Sequence, residues 1–457
     1  MTNSKWVNCG LTLTLFFIVL GTLWLVFNQP IHVDEAMTYR HFVSQGWKIA
    51  ISTYPFPNNH ILFSVLGSLA VSIPMDPFTV MRMISFISAL VSGFMLYRIL
   101  RMGASITWSL VGVLLWCSSV VTLLYSAQAR GYGMQTMFLI LALHQAMKIL
   151  DKAKQKNQIS TWANWALLSV AVSCGIFTLP SFVIPALGLG FFLLVGLYQQ
   201  EERFPWVKVL ASVLFSIALT SCLYAPLIHY SGIESMTGTR WLLLRKFDQL
   251  PQGSVLSFLY DSWVLLGPSF LLPLVLLFWP NGNVPSWKAN FLLFFLSSGL
   301  GYVLLFKSLP FPRTFSYLSA IAAVSLVWNI RGLSLWSEKK LIIGASLTAI
   351  FSLCFSFIKL TPSNEPPQIT AMSLSENEKV LEMDTIYTDG WNQYGDMLDF
   401  YCWYKGNGPK VIPVYSGDVL DESSRSYGYK ILTEEKLTNS ACLLVVEANG
   451  VRIYDCR

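Results

Sequence analysis

Charge is scarce in this 457-residue chain: Asp, Glu, Lys and Arg make up 12% of it, against 54% hydrophobic residues and a mean hydropathy of +0.53. Soluble domains carry about 25% charged residues, so the composition excludes a water-soluble globular protein and requires an integral membrane one. There is no Walker A loop, no GxGxxG opening a helix, no HExxH and no CxxC pair. Those absences remove ATP, a dinucleotide on a Rossmann fold and a structural zinc from consideration, and no feature calls for a nucleic acid partner. The eight cysteines are too scattered for a metal framework. Cys9, Cys117, Cys174, Cys222 and Cys354 fall in or beside apolar segments, as buried structural thiols do. Cys402, Cys442 and Cys456 lie near the C-terminus, where one disulfide can form outside the cytoplasm.

The charge that is present is unevenly placed. Residues 1–360 carry a net +13 and residues 361–457 a net −7. This predicts two domains, a basic membrane domain over 1–360 and an acidic soluble domain over 361–457. A helix needs about 20 apolar residues to cross the hydrocarbon core. Candidate spans run over 11–27, 79–100, 106–124, 132–150, 160–176, 179–197, 207–228, 255–279, 289–306, 314–330 and 341–358, about eleven in all. The first has a signal-peptide flavour, but no small-x-small site precedes Asn28-Gln29-Pro30, so it is read as retained. The apolar stretch 60–73 is too short to span and is read as interfacial. With it lying flat and the N-terminus inside, Arg98/Arg101, Lys148–Lys156 and Lys339/Lys340 all fall in cytoplasmic loops, as short loops prefer. The C-terminal domain then lies outside.

That topology leaves ten basic residues external: Arg40, Lys48, Arg82, Arg130, Arg240, Arg245, Lys246, Lys307, Arg313 and Lys359. Snorkelling to headgroups accounts for some; a bound anion such as a lipid phosphate at the outer surface accounts for others. Arg130 and Arg313 are the best placed for an anion, each abutting a span in an aromatic and polar context. On the same face lies Asp34-Glu35, seven residues past the first hydrophobic segment. Carboxylates beside hydrocarbon are expensive and tend to mark function. The competing reading is a cap, with Asp34 as helix N-cap and Glu35 as a first-turn acid. In Tyr54-Pro55-Phe56-Pro57-Asn58-Asn59-His60, His60 either caps the interfacial helix or offers an N–H to a phosphate oxygen. In Ser126-Ala127-Gln128-Ala129-Arg130-Gly131-Tyr132-Gly133, the glycines permit close backbone approach and Arg130 can grip a phosphate with two N–H groups. Pro310-Phe311-Pro312-Arg313-Thr314-Phe315-Ser316-Tyr317 opens another span on that face.

An Asp-Glu pair after the first span, a His segment before a short flat helix and an Arg-x-Tyr element between two spans together resemble the GT-C superfamily. This is a group of membrane glycosyltransferases that use polyprenyl-phosphate sugars. The branch most similar holds bacterial relatives of the protein O-mannosyltransferases and the aminoarabinose lipid A transferases. The resemblance covers roughly residues 11–150, with an echo at Pro312-Arg313 to Tyr317. It implies a polytopic α-helical transferase in the cell inner membrane, fed by a polyprenyl-phosphate sugar and acting on an extracytoplasmic protein, lipid or glycan. It places the catalytic carboxylate at Asp34 with Glu35 as its acidic neighbour. Arg130, His60 and Arg313 become ligands of the donor phosphate, and Tyr39, Tyr132 and Asn59 line the substrate. His60 is followed by Ile61-Leu62 where the family has prolines, Gly131 stands where proline is common, and Gln128 replaces a frequent Glu. No cofactor is implied as a strict need, though a divalent cation at Asp34/Glu35 is left open. A transporter or flippase for a lipid-linked or anionic substrate is the alternative; it predicts broken helices with charges buried mid-span.

The C-terminal segment reads as a small α/β domain. Residues 384–388 and 410–415 are strand-like, 391–404 helical, and 442–447 with 451–454 a hairpin around Ala448-Asn449-Gly450.

Overall fold

The structure is a computed structural model. It describes residues 2–55, 58–154, 161–200, 204–237, 254–270, 288, 290–330 and 338–360. It also describes 374–381, 383, 385–389, 393–406, 410–414, 429–431, 443–448 and 451–455. Arg240, Arg245, Lys246, Cys442 and Cys456 lie outside the described residues.

The chain forms two compact units. One comprises Met1–Phe27 with Phe42–Leu360; the other comprises Asn28–His41 with Thr361–Arg457. The acidic pair therefore belongs to the same unit as the C-terminal region.

The first unit is helical: α1 (Thr2–Asn28), then α3 (Trp47–Ser52), α4 (Ile61–Ala70), α5 (Pro77–Arg101), α6 (Ile106–Cys117), α7 (Val120–Ala127), α8 (Tyr132–Lys154) and α9 (Trp162–Thr178). There follow α10 (Val183–Gln200), α11 (Trp206–Ser231), α12 (Ser254–Leu266), α13 (Phe291–Phe306), α14 (Leu318–Ile330) and α15 (Glu338–Leu360). The short α2 (Val33–Thr38) belongs to the second unit. Among the described residues four helices are long and apolar enough to cross a membrane (within α1, α5, the α10 region and α11), or five if the bent pair α6–α7 is one span. Five shorter apolar stretches, including α4, α9 and α13, accompany them.

Why the helices break is legible in their side chains. The stretch 106–124 is not one straight helix: α6 and α7 meet at 70°. Ser118 and Ser119 turn their hydroxyls back onto the carbonyls of Leu115 and Trp116, at 2.9 Å each, which competes with continuation of the helix. The Ser118 carbonyl freed by the break accepts from Ser352 and Ser356 of α15, at 3.2 and 2.7 Å. Polar backbone inside a membrane protein survives where neighbouring helices satisfy it in this way. Within the expected span 255–279, α12 ends at Leu266, where Gly267 takes φ +75° and Pro268 follows it; residues 271–279 lie outside the described residues. The stretch 60–73 contributes α4, ten residues or about 15 Å long, too short to span.

The helices pack through one large apolar cluster contributed by α5, α6, α8, α9, α10, α13 and α14. Serines tie α9 to α11: Ser169 Oγ lies 2.7 Å from Ser212 Oγ, and Ser173 donates to the Ser216 carbonyl at 3.1 Å. Small hydroxyl residues of this kind allow close approach of membrane helices.

The second unit holds a five-stranded sheet in the order β2-β1-β3-β5-β4. Its strands are β1 (Thr385–Asp389), β2 (Lys410–Val414), β3 (Tyr429–Ile431), β4 (Leu443–Ala448) and β5 (Val451–Asp455). β1 pairs in parallel with β2 and β3, and β5 runs antiparallel to β3 and β4. Helix α16 (Gln393–Lys405) is the crossover that joins the parallel pair β1 and β2. It buries Met397, Leu398 and Phe400.

Candidate functional site

The candidate residues fall into two groups, one in each unit. In the first unit the loop between α7 and α8 carries Arg130 and Gly131, α8 begins at Tyr132, His60 stands at the head of α4, and Arg313 sits in a 3-10 turn, Pro312–Phe315. Two glycines let these segments meet. A Cβ on Gly131 would lie 2.8 Å from His60 Cβ and 3.0 Å from its Cγ and Nδ1. One on Gly133 would lie 2.9 Å from the Tyr125 carbonyl oxygen. The carbonyl of Arg130 is held by Ser85 of α5, whose hydroxyl donates to it at 3.1 Å.

His60 makes no capping hydrogen bond to α4, so the cap reading does not explain it. Instead Gly131 N–H donates to His60 Nδ1 at 2.7 Å. Because Nδ1 accepts, a neutral imidazole must carry its hydrogen on Nε2. Burial drives the His60 pKa down to about 3, with the Arg313 charge adding to the effect. The ring is therefore neutral at physiological pH, and its buried Nε2–H has no hydrogen-bond partner among the described residues. A buried donor without an acceptor costs free energy, and one on a ring beside Tyr132 and within the influence of Arg313 is suited to an oxygen of a ligand.

Around that donor the structure brings together Arg130, Arg313 and Tyr132. The His60 and Tyr132 rings meet edge to face at 4.8 Å. The Arg130 guanidinium lies 5.4 Å from the Tyr132 ring centre. Both guanidiniums lie near enough to Tyr132 to interact with it, and the Arg313 charge acts on Arg130. Burial lowers the Arg130 pKa to about 9 with Arg313 opposing its charge; that remains well above neutrality, so the group stays cationic. Two guanidiniums and a neutral imidazole donor form a donor-rich set of the kind that phosphate oxygens satisfy. Tyr125, Ser126, Thr136 and Ser316 line a small adjoining cavity with Tyr132 and Gly133. Asn59 ties the preceding loop together, its Nδ2 donating to the carbonyls of Ala50 and Thr53 at 2.9 and 2.8 Å. Its buried Oδ1 is left without a hydrogen-bond partner among the described residues.

In the second unit, Asp34 and Glu35 lie in α2. The N-cap is His32, not Asp34: His32 Nδ1 accepts from Asp34 N–H at 3.2 Å, and Glu35 Oε2 accepts from His32 N–H at 2.8 Å. This is a capping box with a histidine in the Ser/Thr place. Glu35 is fully buried and gives one carboxylate oxygen to the cap, whereas Asp34 is half-buried and gives the cap its N–H. Tyr39 packs edge to face on Trp403 and Tyr404, with ring centres 6.3 Å apart in each case. Among the described residues no group of three or more His, Cys, Asp or Glu side chains is arranged to hold a metal. One carboxylate oxygen of Glu35 is engaged by the cap. His32, Arg40 and Asp399 are site neighbours that sequence reasoning passed over; only Arg40 carried a signal, as a basic residue on the outer face.

No family model matches the chain, and no curated protein matches it. Among solved structures, ArnT from Cupriavidus metallidurans in the apo state is similar over 100% of this chain and 99% of its own, at 9% identity and a TM-score of 0.63. The same protein bound to undecaprenyl phosphate is similar over 98% of both chains, at 11% identity and a TM-score of 0.58. An Archaeoglobus fulgidus oligosaccharyltransferase, tethered to an acceptor peptide, aligns with 90% of this chain and 64% of its own at 12% identity, with a TM-score of 0.48. ArnT and the oligosaccharyltransferase are both GT-C proteins. The ArnT likeness extends over the whole chain, so the fold is that of ArnT.

Proposed function

We propose that this protein transfers a sugar from a polyprenyl-phosphate donor to a hydroxyl-bearing acceptor outside the cytoplasm. The observation that carries the reading is the convergence of Arg130, Arg313 and the Nε2–H of neutral His60 around Tyr132. A lipid phosphate supplies the oxygens such a set would bind, and the fold is that of a protein solved with undecaprenyl phosphate.

In this reading the Asp34 carboxylate takes the proton from the acceptor hydroxyl as its oxygen bonds to the anomeric carbon. The bond from that carbon to the phosphate oxygen breaks, and polyprenyl phosphate departs. Proton abstraction of this kind contributes about 10²–10⁴-fold. Arg130, Arg313 and His60 stabilise the charge that grows on the leaving phosphate, and loss of one such preorganised group costs about 2.7–4 kcal/mol. Glu35 supports Asp34 by capping its helix. Tyr39, Tyr132 and Asn59 flank the substrate. The protein crosses the inner membrane about eleven times with its N-terminus inside and residues 361–457 outside.

The test is Arg130→Lys. A point charge does not reproduce a planar fork, so release of polyprenyl phosphate should fall well below wild type, and Arg130→Ala should fall further. Wild-type release by Arg130→Lys would reduce Arg130 to a generic cation. Among the described residues, the 70° break between α6 and α7 is a feature that favours a transporter. That reading predicts movement of a lipid-linked substrate across sealed proteoliposomes without sugar transfer.

A further inference from the structure

We propose that Asp399 is a positioning residue: by pairing with Arg40 it holds α2, and with it the Asp34 carboxylate, in the working position. The inference rests on the assignment of Asp34 as the general base.

Helix α2 is six residues long, far below the length at which a helix holds itself. Its N-terminal end is fixed by the capping box of His32 and Glu35. Its C-terminal end runs into a five-residue π-helical turn, Tyr39–Val43. What fixes that end is α16. The Arg40 guanidinium pairs with the Asp399 carboxylate and lies 5.3 Å from the Trp403 ring centre. Tyr39 meets both Trp403 and Tyr404 edge to face.

This platform is rigid from behind. Phe400, 1% exposed, stacks on Tyr404 with centres 5.7 Å apart and touches Trp403 at 6.0 Å. Met397 and Leu398 are fully buried on the same helix. Asp399, sitting between Leu398 and Phe400, is thus anchored by its neighbours. The ion pair itself is partly screened, its side chains being 24% and 28% exposed. Such pairs add little to overall stability. Its value is directional: it adds a polar contact to the aromatic packing of Tyr39 on α16, and it sets which way the turn after α2 faces. The C-terminal domain then acts as the mount of the catalytic segment.

A misplacement of about 1 Å can cost about 10²-fold in rate. Asp399→Ala should lower kcat for release of polyprenyl phosphate from extracted lipid-linked sugars by that order. KM for those lipids, and binding of undecaprenyl phosphate, should stay within about twofold. Arg40→Ala should behave alike, and the double variant should be no worse than either single one. Asp399→Glu should recover most of the rate. Lys405→Ala removes another pair of the same helix, with Glu376 at 2.9 Å, and should leave kcat unchanged. Normal kcat in Asp399→Ala, additive losses in the double variant, or an equal loss in Lys405→Ala would overturn the proposal. If Asp399→Ala does not accumulate folded, Asp399→Asn and Asp399→Glu are compared instead, and equal kcat for these two overturns it as well. Asp34→Asn separates the two failures. Full turnover there defeats both the base assignment and the positioning role, whereas inactive Asp34→Asn beside normal Asp399→Ala defeats only the positioning role.

Discussion

Adding one methyl group at Gly131 should disable His60. The new Cβ would sit 2.8 Å from His60 Cβ and 3.0 Å from Cγ and Nδ1, where ordinary carbon contacts begin near 3.5 Å. These atoms belong to the rigid base of the imidazole, so the ring must move by several tenths of an ångström or the loop must yield. Either response stretches the 2.7 Å hydrogen bond from Gly131 N–H to Nδ1. Overpacking costs about 1–3 kcal/mol, and a buried donor stripped of its partner costs about 1–3 kcal/mol; the two overlap, so Gly131→Ala should lose about 2–4 kcal/mol. The assay is a double-mutant cycle on purified protein, read by thermal midpoint and by binding of undecaprenyl phosphate. His60→Ala loses the acceptor Nδ1 but also empties the space the methyl needs. Gly131→Ala/His60→Ala should therefore be hardly worse than His60→Ala alone, with a coupling above about 1 kcal/mol. Additive losses, or a neutral Gly131→Ala, would refute the packing argument and the tautomer drawn from it.

His60 also makes a pH prediction. Its pKa in the folded protein, about 3, lies below the ordinary 6.5, so between those values the unfolded chain binds more protons and stability falls as pH falls. The slope is at most about 1.4 kcal/mol per pH unit; His60→Gln should flatten the fall in thermal midpoint below pH 6.5 and leave it unchanged above pH 7. For the acidic pair, Glu35→Gln keeps a capping box and should retain most activity. Glu35→Ala loses the bond to His32 N–H and should cost about 0.5–2 kcal/mol, seen as a lower thermal midpoint. Reporter fusions within 151–158 and 362–366 should report opposite sides of the membrane; the same side for both would overturn the assigned orientation.

What the sequence showed plainly was anything governed by composition or by one local signal. Long apolar runs announced α1, α5, α10 and α11, and Pro74 with a ten-to-fourteen-residue apolar run announced a helix too short to span. The Arg130-Gly131-Tyr132 element and Arg313 stood out because cations and glycines beside spans need a reason. Less legible were features that depend on distant partners. The break at Ser118–Ser119 sits inside an unbroken apolar run, and only the hydroxyls of Ser352 and Ser356 make the freed carbonyl tolerable. Asp34 looked like the N-cap because Asp is a good one; that His32 takes the post depends on its Nδ1 reaching Asp34 N–H and on Glu35 reaching back. The switch in charge near residue 360 drew a boundary there, yet Asn28–His41 groups with the residues beyond it. No local pattern reveals that Arg40 pairs with a carboxylate 359 positions away.

The central claim, that Asp34 is the base of a sugar transfer, is tested most directly by Asp34→Asn. The substitution keeps shape and leaves the capping box of His32 and Glu35 in place, so the protein should still insert and bind undecaprenyl phosphate as wild type does. Release of polyprenyl phosphate from extracted lipid-linked sugars should then fall by at least the 10²–10⁴-fold that general-base catalysis contributes. Near-normal release by Asp34→Asn, at equal expression and equal lipid binding, would contradict the account.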